Sequence, residues 1–485
     1  MAFGALVPFF LSIARKGGKA AFCLGYLFGL AHNLSLLYWI YYVSTTFGGL
    51  NGPLGFLVLF LLVFYLNLFP ALFGLLGVWL GRHFKYTMAV YPALWVALEW
   101  IKAHLFTGFP WELVGYSQYQ YPVLIQAADF GGVYVVSFLV VLVNAGIFDL
   151  TGAGGRTRRI LTNPGFWIPL ISVGLVCGYG LMRLNQVAAV EALAPRAGIS
   201  VIQGNIDQAV KWSPEFKIGT LNTYARLTAE AAKQSPELII WPETSLPFFF
   251  GEESVLSDRV AEVAGKVKSF LLFGSPARKG WGKAVQLYNR AYLMSPQGLV
   301  LDMYDKQHLV PFGEYLPLKS LLSRLAGGMV QAVGDFAAGA AGHTLNAGFG
   351  SIGVLICYES IFPYISRQEV QNGARVLVNI TNDAWFGDTG APYQHLSMLT
   401  FRAVENRVWI PRAANTGISG FISSTGLIIG RTELNREAIR SYRVPLADTK
   451  SFYSLHGDVF AYLCMFFLIA PSLIWMISRP AVKQE

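Results

Sequence analysis

Val354-Leu355-Ile356-Cys357-Tyr358-Glu359-Ser360 is the stretch on which the fold of this chain turns. Apolar, strand-favouring residues run into a cysteine, and Ile361-Phe362-Pro363 then turns the chain away. The stretch reads as a buried strand that stops on a thiol. A thiol held at a strand end is placed to act as a fixed nucleophile, because rigid elements position reacting atoms better than loops do. The plain alternative is a cysteine packed as a small hydrophobe. The surroundings decide between the two.

Working outward, the 485 residues are 54% hydrophobic and only 13% charged, against about 25% charged in an ordinary soluble domain. Runs long enough to span a bilayer, which takes about 20 apolar residues, fall near 20–43, 54–80, 87–104, 121–149, 166–184 and 459–477. Residues 2–13 are apolar but too short to cross alone. No basic stretch precedes them, so a cleaved signal peptide is not expected.

The net charge of +9 sits in short basic clusters between these runs. Arg15, Lys16 and Lys19 precede the first full span; Arg82, His83 and Lys85 follow the second; Arg156, Arg158 and Arg159 follow the fourth; Arg479 and Lys483 follow the last. The loop at 44–53 carries no charge. All four clusters thus fall on one side, which the positive-inside rule assigns to the cytoplasm. The segment 185–458 is then expected on the outer face. Topology accounts for the basic charge, so nucleic-acid binding is not expected.

In that outer segment short β-rich runs alternate with helix-like stretches. Strands are expected at Ile199–Gln203, Leu238–Trp241, Phe270–Gly274, Leu287–Ser295, Ile352–Cys357, Arg375–Ile380 and Gly420–Ser424. Helices are expected at 216–233, 256–268, 363–373 and 395–409. This alternation indicates α/β layers. Of the four cysteines, Cys23, Cys177 and Cys464 lie in spans, and Cys357 alone lies in the outer segment. It has no disulfide partner there, although an outer compartment favours disulfides. That raises the nucleophile reading.

A thiol needs a base or cationic neighbours to react quickly at neutral pH. His308, His343, His395 and His456 form no papain-like signature with Cys357. Trp241-Pro242-Glu243-Thr244 places a carboxylate just after a strand, and Lys306 and Glu314 lie in the Pro/Gly-rich stretch 304–317. A carboxylate can take a thiol proton, and a lysine can stabilise an oxyanion. Taken singly each has an ordinary role: Glu243 as a helix cap, Lys306 paired with Asp305 or Asp302, Glu314 fixing a loop.

As a set they resemble the nitrilase superfamily, whose Glu–Lys–Cys triad comes in this chain order. The matching motifs are Trp241-Pro242-Glu243, Asp305-Lys306 with Pro311-Phe312-Gly313-Glu314, and Cys357-Tyr358-Glu359. Arg402–Arg407 and Asn415-Thr416-Gly417 are similar to the second half of that family. With the membrane spans, the chain resembles the apolipoprotein N-acyltransferase family over nearly its whole length. That likeness includes Thr107-Gly108-Phe109-Pro110-Trp111, Gln203-Gly204-Asn205-Ile206 with Lys211-Trp212, and Asn382–Gly387.

The resemblance implies an α+β membrane protein. A helical transmembrane bundle (1–184, with a closing helix and short cytoplasmic tail at 459–485) would carry an extracytoplasmic nitrilase-like α-β-β-α sandwich at 185–458. Fewer spans are legible than the family usually has, and its first span is read as missing. Glu243 is expected as general base, Lys306 as oxyanion stabiliser and Cys357 as nucleophile, supported by Glu314, Tyr358 and Glu359, with Trp212 meeting lipid. The implied reaction takes an acyl chain from a phospholipid donor to a diacylglyceryl apolipoprotein acceptor. It implies a monomer in the bacterial inner membrane, catalytic on the periplasmic face, without metal or organic cofactor.

Two alternatives are a membrane-anchored amidohydrolase acting on a small amide, and a non-enzymatic scaffold or transporter. Glu99, Lys102 and Glu112, in or beside a span, mark a functional position by default but are not placed in the chemistry. Gly348-Phe349-Gly350-Ser351-Ile352-Gly353 fits a dinucleotide fingerprint but precedes a strand instead of following one.

Overall fold

The computed structural model describes residues 2–83, 87–151, 161–209, 211–280, 282, 285–317 and 335–477. The basic positions Lys85, Arg156, Arg158, Arg159, Arg479 and Lys483 lie outside the described residues. The chain separates into two compact units. One comprises Met1–Tyr38, Leu57–Arg183 and His456–Glu485; the other comprises Trp39–Phe56 and Leu184–Leu455.

The first unit is helical. Among the described residues, four helices are long and apolar enough to cross a membrane: Gly18–Leu37, Gly52–His83, Val133–Thr151 and Pro164–Leu193. The span expected at 87–104 is a helix of 18 residues, Thr87–His104, but it carries Glu99, Lys102 and His104 and buries Glu99 with most of its apolar residues. The span expected at 121–149 begins only at Val133. Gly132, at φ +66, ends the short helix Ala128–Gly131 before it, a positive φ that glycine adopts without a side-chain clash. The expected span at 459–477 is the helix Val459–Ile477. The stub at 2–13 forms two short helices, of which the second, Val7–Ile13, buries Phe9, Phe10 and Ile13. Asn33 Nδ2 donates to Asn67 Oδ1 at 2.8 Å, the kind of interhelical bond that joins apolar helices.

The second unit holds two six-stranded sheets. Its strands are β1 (Arg196–Gln203), β2 (Leu238–Ile240), β3 (Phe270–Lys279), β4 (Gln286–Met294), β5 (Val300–Asp305), β6 (Leu345–Asn346), β7 (Ser351–Ile356), β8 (Val376–Thr381), β9 (Ile410–Ala414), β10 (Gly420–Ile422), β11 (Ile428–Ile429) and β12 (Ala438–Pro445). One sheet has the order β12-β1-β2-β3-β4-β5 and the other β11-β10-β9-β8-β7-β6. β1–β2–β3 and β7–β8–β9 run parallel.

The period-2 pattern explains the stacking. Leu238 and Ile240 of β2, Val354 and Ile356 of β7, and Val376 and Val378 of β8 form one buried core between the sheets. Each such side chain contributes roughly 1.5–3 kcal/mol on burial. The alternate residues face outward. Ile239, Trp241 and Phe273 pack with Leu221, Tyr224 and Val260 of the helices Pro214–Ala231 and Ser254–Val267. Helices Pro363–Gln371 and Ala391–Asn406 cover the other sheet. Gly353 is needed there, since a Cβ would lie 2.7 Å from Glu369 Cβ. The result is an α-β-β-α sandwich.

The expected helix 395–409 stops at Asn406, where Arg407 turns left-handed at φ +55 and β9 follows. Pro411 disguises β9 as a non-strand, because proline is rare in central strands. The polar pattern of β12, with Arg440 and Arg443, hides an edge strand. Residues expected at the ends of two spans and in the loop between them, Trp39–Phe56, fold with the sandwich. Trp39 Nε1 donates to Gln394 Oε1 at 3.1 Å, and Phe47 meets Trp385 edge-on.

Candidate active site

The candidate site lies where strand ends converge. Glu243 follows β2, Lys306 follows β5, Cys357 follows β7, and Asn382-Asp383 follow β8. Parallel strands send their carboxyl ends to one side, so residues distant in sequence meet there. Cys357 opens a 3-10 turn, Cys357–Ile361, with φ +52. That left-handed conformation is strained for a non-glycine residue, and such strain gathers at functional sites.

Glu243 is buried and held from both sheets. Asn289 Nδ2 donates to its Oε1 at 2.7 Å and Asn382 N donates to its Oε2 at 2.9 Å. Lys306 Nζ stands 3.6 Å from Glu243 Oε1 and donates to Glu314 Oε1 at 2.9 Å. Glu314 also accepts from Asn289 Nδ2 at 2.9 Å and from Val310 N at 2.9 Å. Burial would lower the Lys306 pKa, but Glu314 and Glu243 outweigh it and hold the group above the usual lysine range. Burial raises the Cys357 thiol above its ordinary value and Glu243 adds to the effect, while Lys306 and the Thr381 hydrogen bond oppose it. The resting sulfur therefore keeps its proton.

Glu359 ties the thiol turn to the Lys306 loop. Its carboxylate accepts from Gln307 N at 2.6 Å, His308 N at 3.2 Å, Ile356 N at 2.7 Å and the Tyr304 hydroxyl at 3.1 Å. Burial pushes its pKa up to about 7, against those backbone donors. Tyr358 stacks edge-on against Phe362, at a centroid distance of 5.1 Å. Trp212 remains 50% exposed, outside this hydrogen-bonded set.

Sequence reading passed over three groups. Asn289 bridges the two carboxylates; its signal is an amide two residues before Ala291, in register with the inter-sheet core. Beneath Cys357 lies a buried cluster. His395 Nε2 is 3.1 Å from Cys357 O, and its Nδ1 is 3.1 Å from Asp383 Oδ1. Arg412 donates to Asp383 Oδ2 at 2.7 Å. Burial would raise the Asp383 pKa, but Arg412 holds it well below the carboxylate range. Gly417 makes room, since a Cβ there would lie 2.2 Å from Asp383 Oδ2. The third group, Lys211, was quoted beside Trp212 without a role of its own; it is buried.

A buried thiol, a carboxylate and an ammonium at the strand ends of a two-sheet sandwich define a carbon-nitrogen hydrolase domain, and the family model of that description matches residues 198–453. The model described as the apolipoprotein N-acyltransferase N-terminal domain matches residues 1–146. An apolipoprotein N-acyltransferase of Geobacter metallireducens is 44% identical over 469 residues, covering 96% of this chain and 89% of that protein. One from Methylococcus capsulatus is 36% identical over 446 residues, covering 90% and 83%. The chain belongs to the apolipoprotein N-acyltransferase family. It is a membrane protein and an acyltransferase.

Proposed function

We propose that this enzyme moves an acyl chain from a membrane phospholipid to the α-amino group of the diacylglyceryl-cysteine that begins an apolipoprotein, through a thioester on Cys357. The observation that carries this reading is the meeting of Cys357, Glu243 and Lys306 in a chain that also bears membrane-length apolar helices. Glu243 takes the thiol proton as sulfur adds to the ester carbonyl. Lys306 and the backbone N–H of Tyr358 hold the oxyanion. The intermediate collapses, Glu243 returns the proton to the departing lysophospholipid, and the acyl chain remains on sulfur. The neutral amine of the acceptor then attacks, Glu243 takes its proton and passes it to the departing sulfur, and the thiol is released as the amide forms. This is covalent catalysis of the ping-pong kind.

Glu314 and Glu359 act as positioning residues, the first on Lys306 and the second on the thiol turn. The half-exposed ring of Trp212 suits contact with lipid. In this reading 185–458 is the catalytic domain on the periplasmic face of the inner membrane, held by helices within 1–184 and 459–485, and the enzyme works as a monomer. The runner-up, hydrolysis of a small amide, would use the same groups with water replacing the amine. Family membership favours acyl transfer.

The test uses detergent-solubilised enzyme, a phospholipid labelled in one acyl chain, and a diacylglyceryl-cysteine peptide. Label in amide linkage on the peptide is expected, with parallel double-reciprocal lines. Release of labelled fatty acid with no amide would favour the hydrolase.

A further inference from the structure

Lys211 stands apart from the groups used so far. Its side chain is buried, and its ammonium has no hydrogen-bond partner among the described residues. A dry, unpaired ammonium is costly, so one is expected where a ligand brings the missing acceptor. The loop that carries it is fixed beside the site. Asn205 N donates to Asn415 O, and Ile206 N to Asn415 Oδ1, both at 2.9 Å. Asn382 Nδ2 donates to Gln208 Oε1 at 2.7 Å, and Lys211 N closes a turn on Asp207 O at 3.1 Å. Asn382 is also the residue whose N–H holds Glu243.

Lys211 therefore stands close to Glu243 without pairing to it. Burial brings its pKa down to about 8, while Glu243 works in the opposite direction. The ammonium form still prevails at neutral pH. Apolar surface turns outward next to it: Trp212 beside Lys211, and Phe216 and Ile218 near the start of the helix Pro214–Ala231 that follows, are each about half exposed.

We propose that Lys211 binds the acyl donor by taking a phosphate oxygen of the phospholipid. The inference rests on the acyltransferase reading and adds the group that recognises the donor. In the first half-reaction the departing glycerol oxygen must reach the proton on Glu243. The phosphodiester lies a few bonds further along the same glycerol. An unpaired cation near Glu243 is placed to meet that phosphate. Trp212, Phe216 and Ile218 offer adjoining apolar contact to the chains.

The experiment compares two donors with identical chains, phosphatidylglycerol and diacylglycerol, in detergent micelles, and reads kcat/KM for thioester formation on the full-length enzyme. In Lys211→Met the ratio of phospholipid to diacylglycerol activity should fall roughly 10- to 100-fold, the range for losing a hydrogen bond between charged groups. Lys211→Arg should retain much of the ratio. If Lys211→Met does not fold, Lys211→Gln must show the same fall. Equal losses on both donors, an unchanged ratio, or a wild-type ratio near one would overturn the inference. A wild type that forms no thioester from either donor would overturn the acyltransferase reading, and this inference with it.

Discussion

Asn289 holds together the two carboxylates that flank Lys306, donating to Glu243 and to Glu314 from one amide nitrogen. Replacing it by Leu keeps the size but removes both hydrogen bonds. Thioester formation should then slow by about 10- to 100-fold, as bonds to charged groups are worth about 1.5–3 kcal/mol. Glu243→Gln should cost more, about 10²–10⁴-fold, as for loss of a general base; stopped-flow measurement of the acylation burst ranks the two. Glu369 makes a separate prediction about pH. It is buried, its oxygens have no hydrogen-bond partner among the described residues, and burial followed by Glu359 pushes its pKa up to about 8. The unfolded chain titrates near about 4.3. Between those values the native state binds more protons than the unfolded state, so stability falls as pH rises through the window. Glu369→Gln should flatten that slope and melt higher than wild type near pH 8. A melting curve series from about pH 5 to about pH 8 checks it, and an unchanged slope in the variant would contradict it.

At the scale of elements, the turn after β8 joins the thiol to distant parts of the sandwich unit. Phe386 meets His395 edge-on, His395 reaches Cys357 O, and Trp39 packs on Phe386 at a centroid distance of 5.0 Å. Gly417→Ala would push a methyl group into Asp383. A loss of at least about 1–3 kcal/mol is expected from the forced shift in a packed interior, read as a lower thermal midpoint with weakened acylation. Trp39→Ala should raise hydrogen exchange across 383–395 if the 39–56 segment steadies that turn. The strands that lead to Glu243 and Cys357 were legible because an unbroken apolar run that gives way to a polar or reactive residue is a local signal. Lys306 and Glu314 were found through their motif, although β5 before them was not read as a strand. Asn289, Lys211 and the Asp383–His395–Arg412 cluster were not legible in their roles, since buried polar contacts are made between elements and leave no period behind. Trp39–Phe56 misled for a related reason. Its aromatics fit a membrane segment and a sandwich face equally well, and only the partners Gln394, Phe386 and Trp385 decide.

At the scale of the molecule, the two units solve different solvent problems. The sandwich closes its apolar residues between sheets and under helices. The helical unit leaves Leu57, Phe60, Leu61 and Phe64 on one helix, and Ile168, Ile171 and Leu175 on another, turned outward. Exposed apolar surface on that scale marks contact with a membrane or partner. Extraction should accordingly require detergent, and dilution below the critical micelle concentration should precipitate the protein. The acyl donor proposed for the Cys357 thiol is correspondingly lipid-borne. The most direct measurement of that claim is intact-mass analysis after exposure to phospholipid without acceptor. One added acyl chain is expected on the wild type, lost on adding a diacylglyceryl-cysteine peptide and absent from Cys357→Ala. No adduct on the wild type, or an adduct that persists in Cys357→Ala, would contradict it.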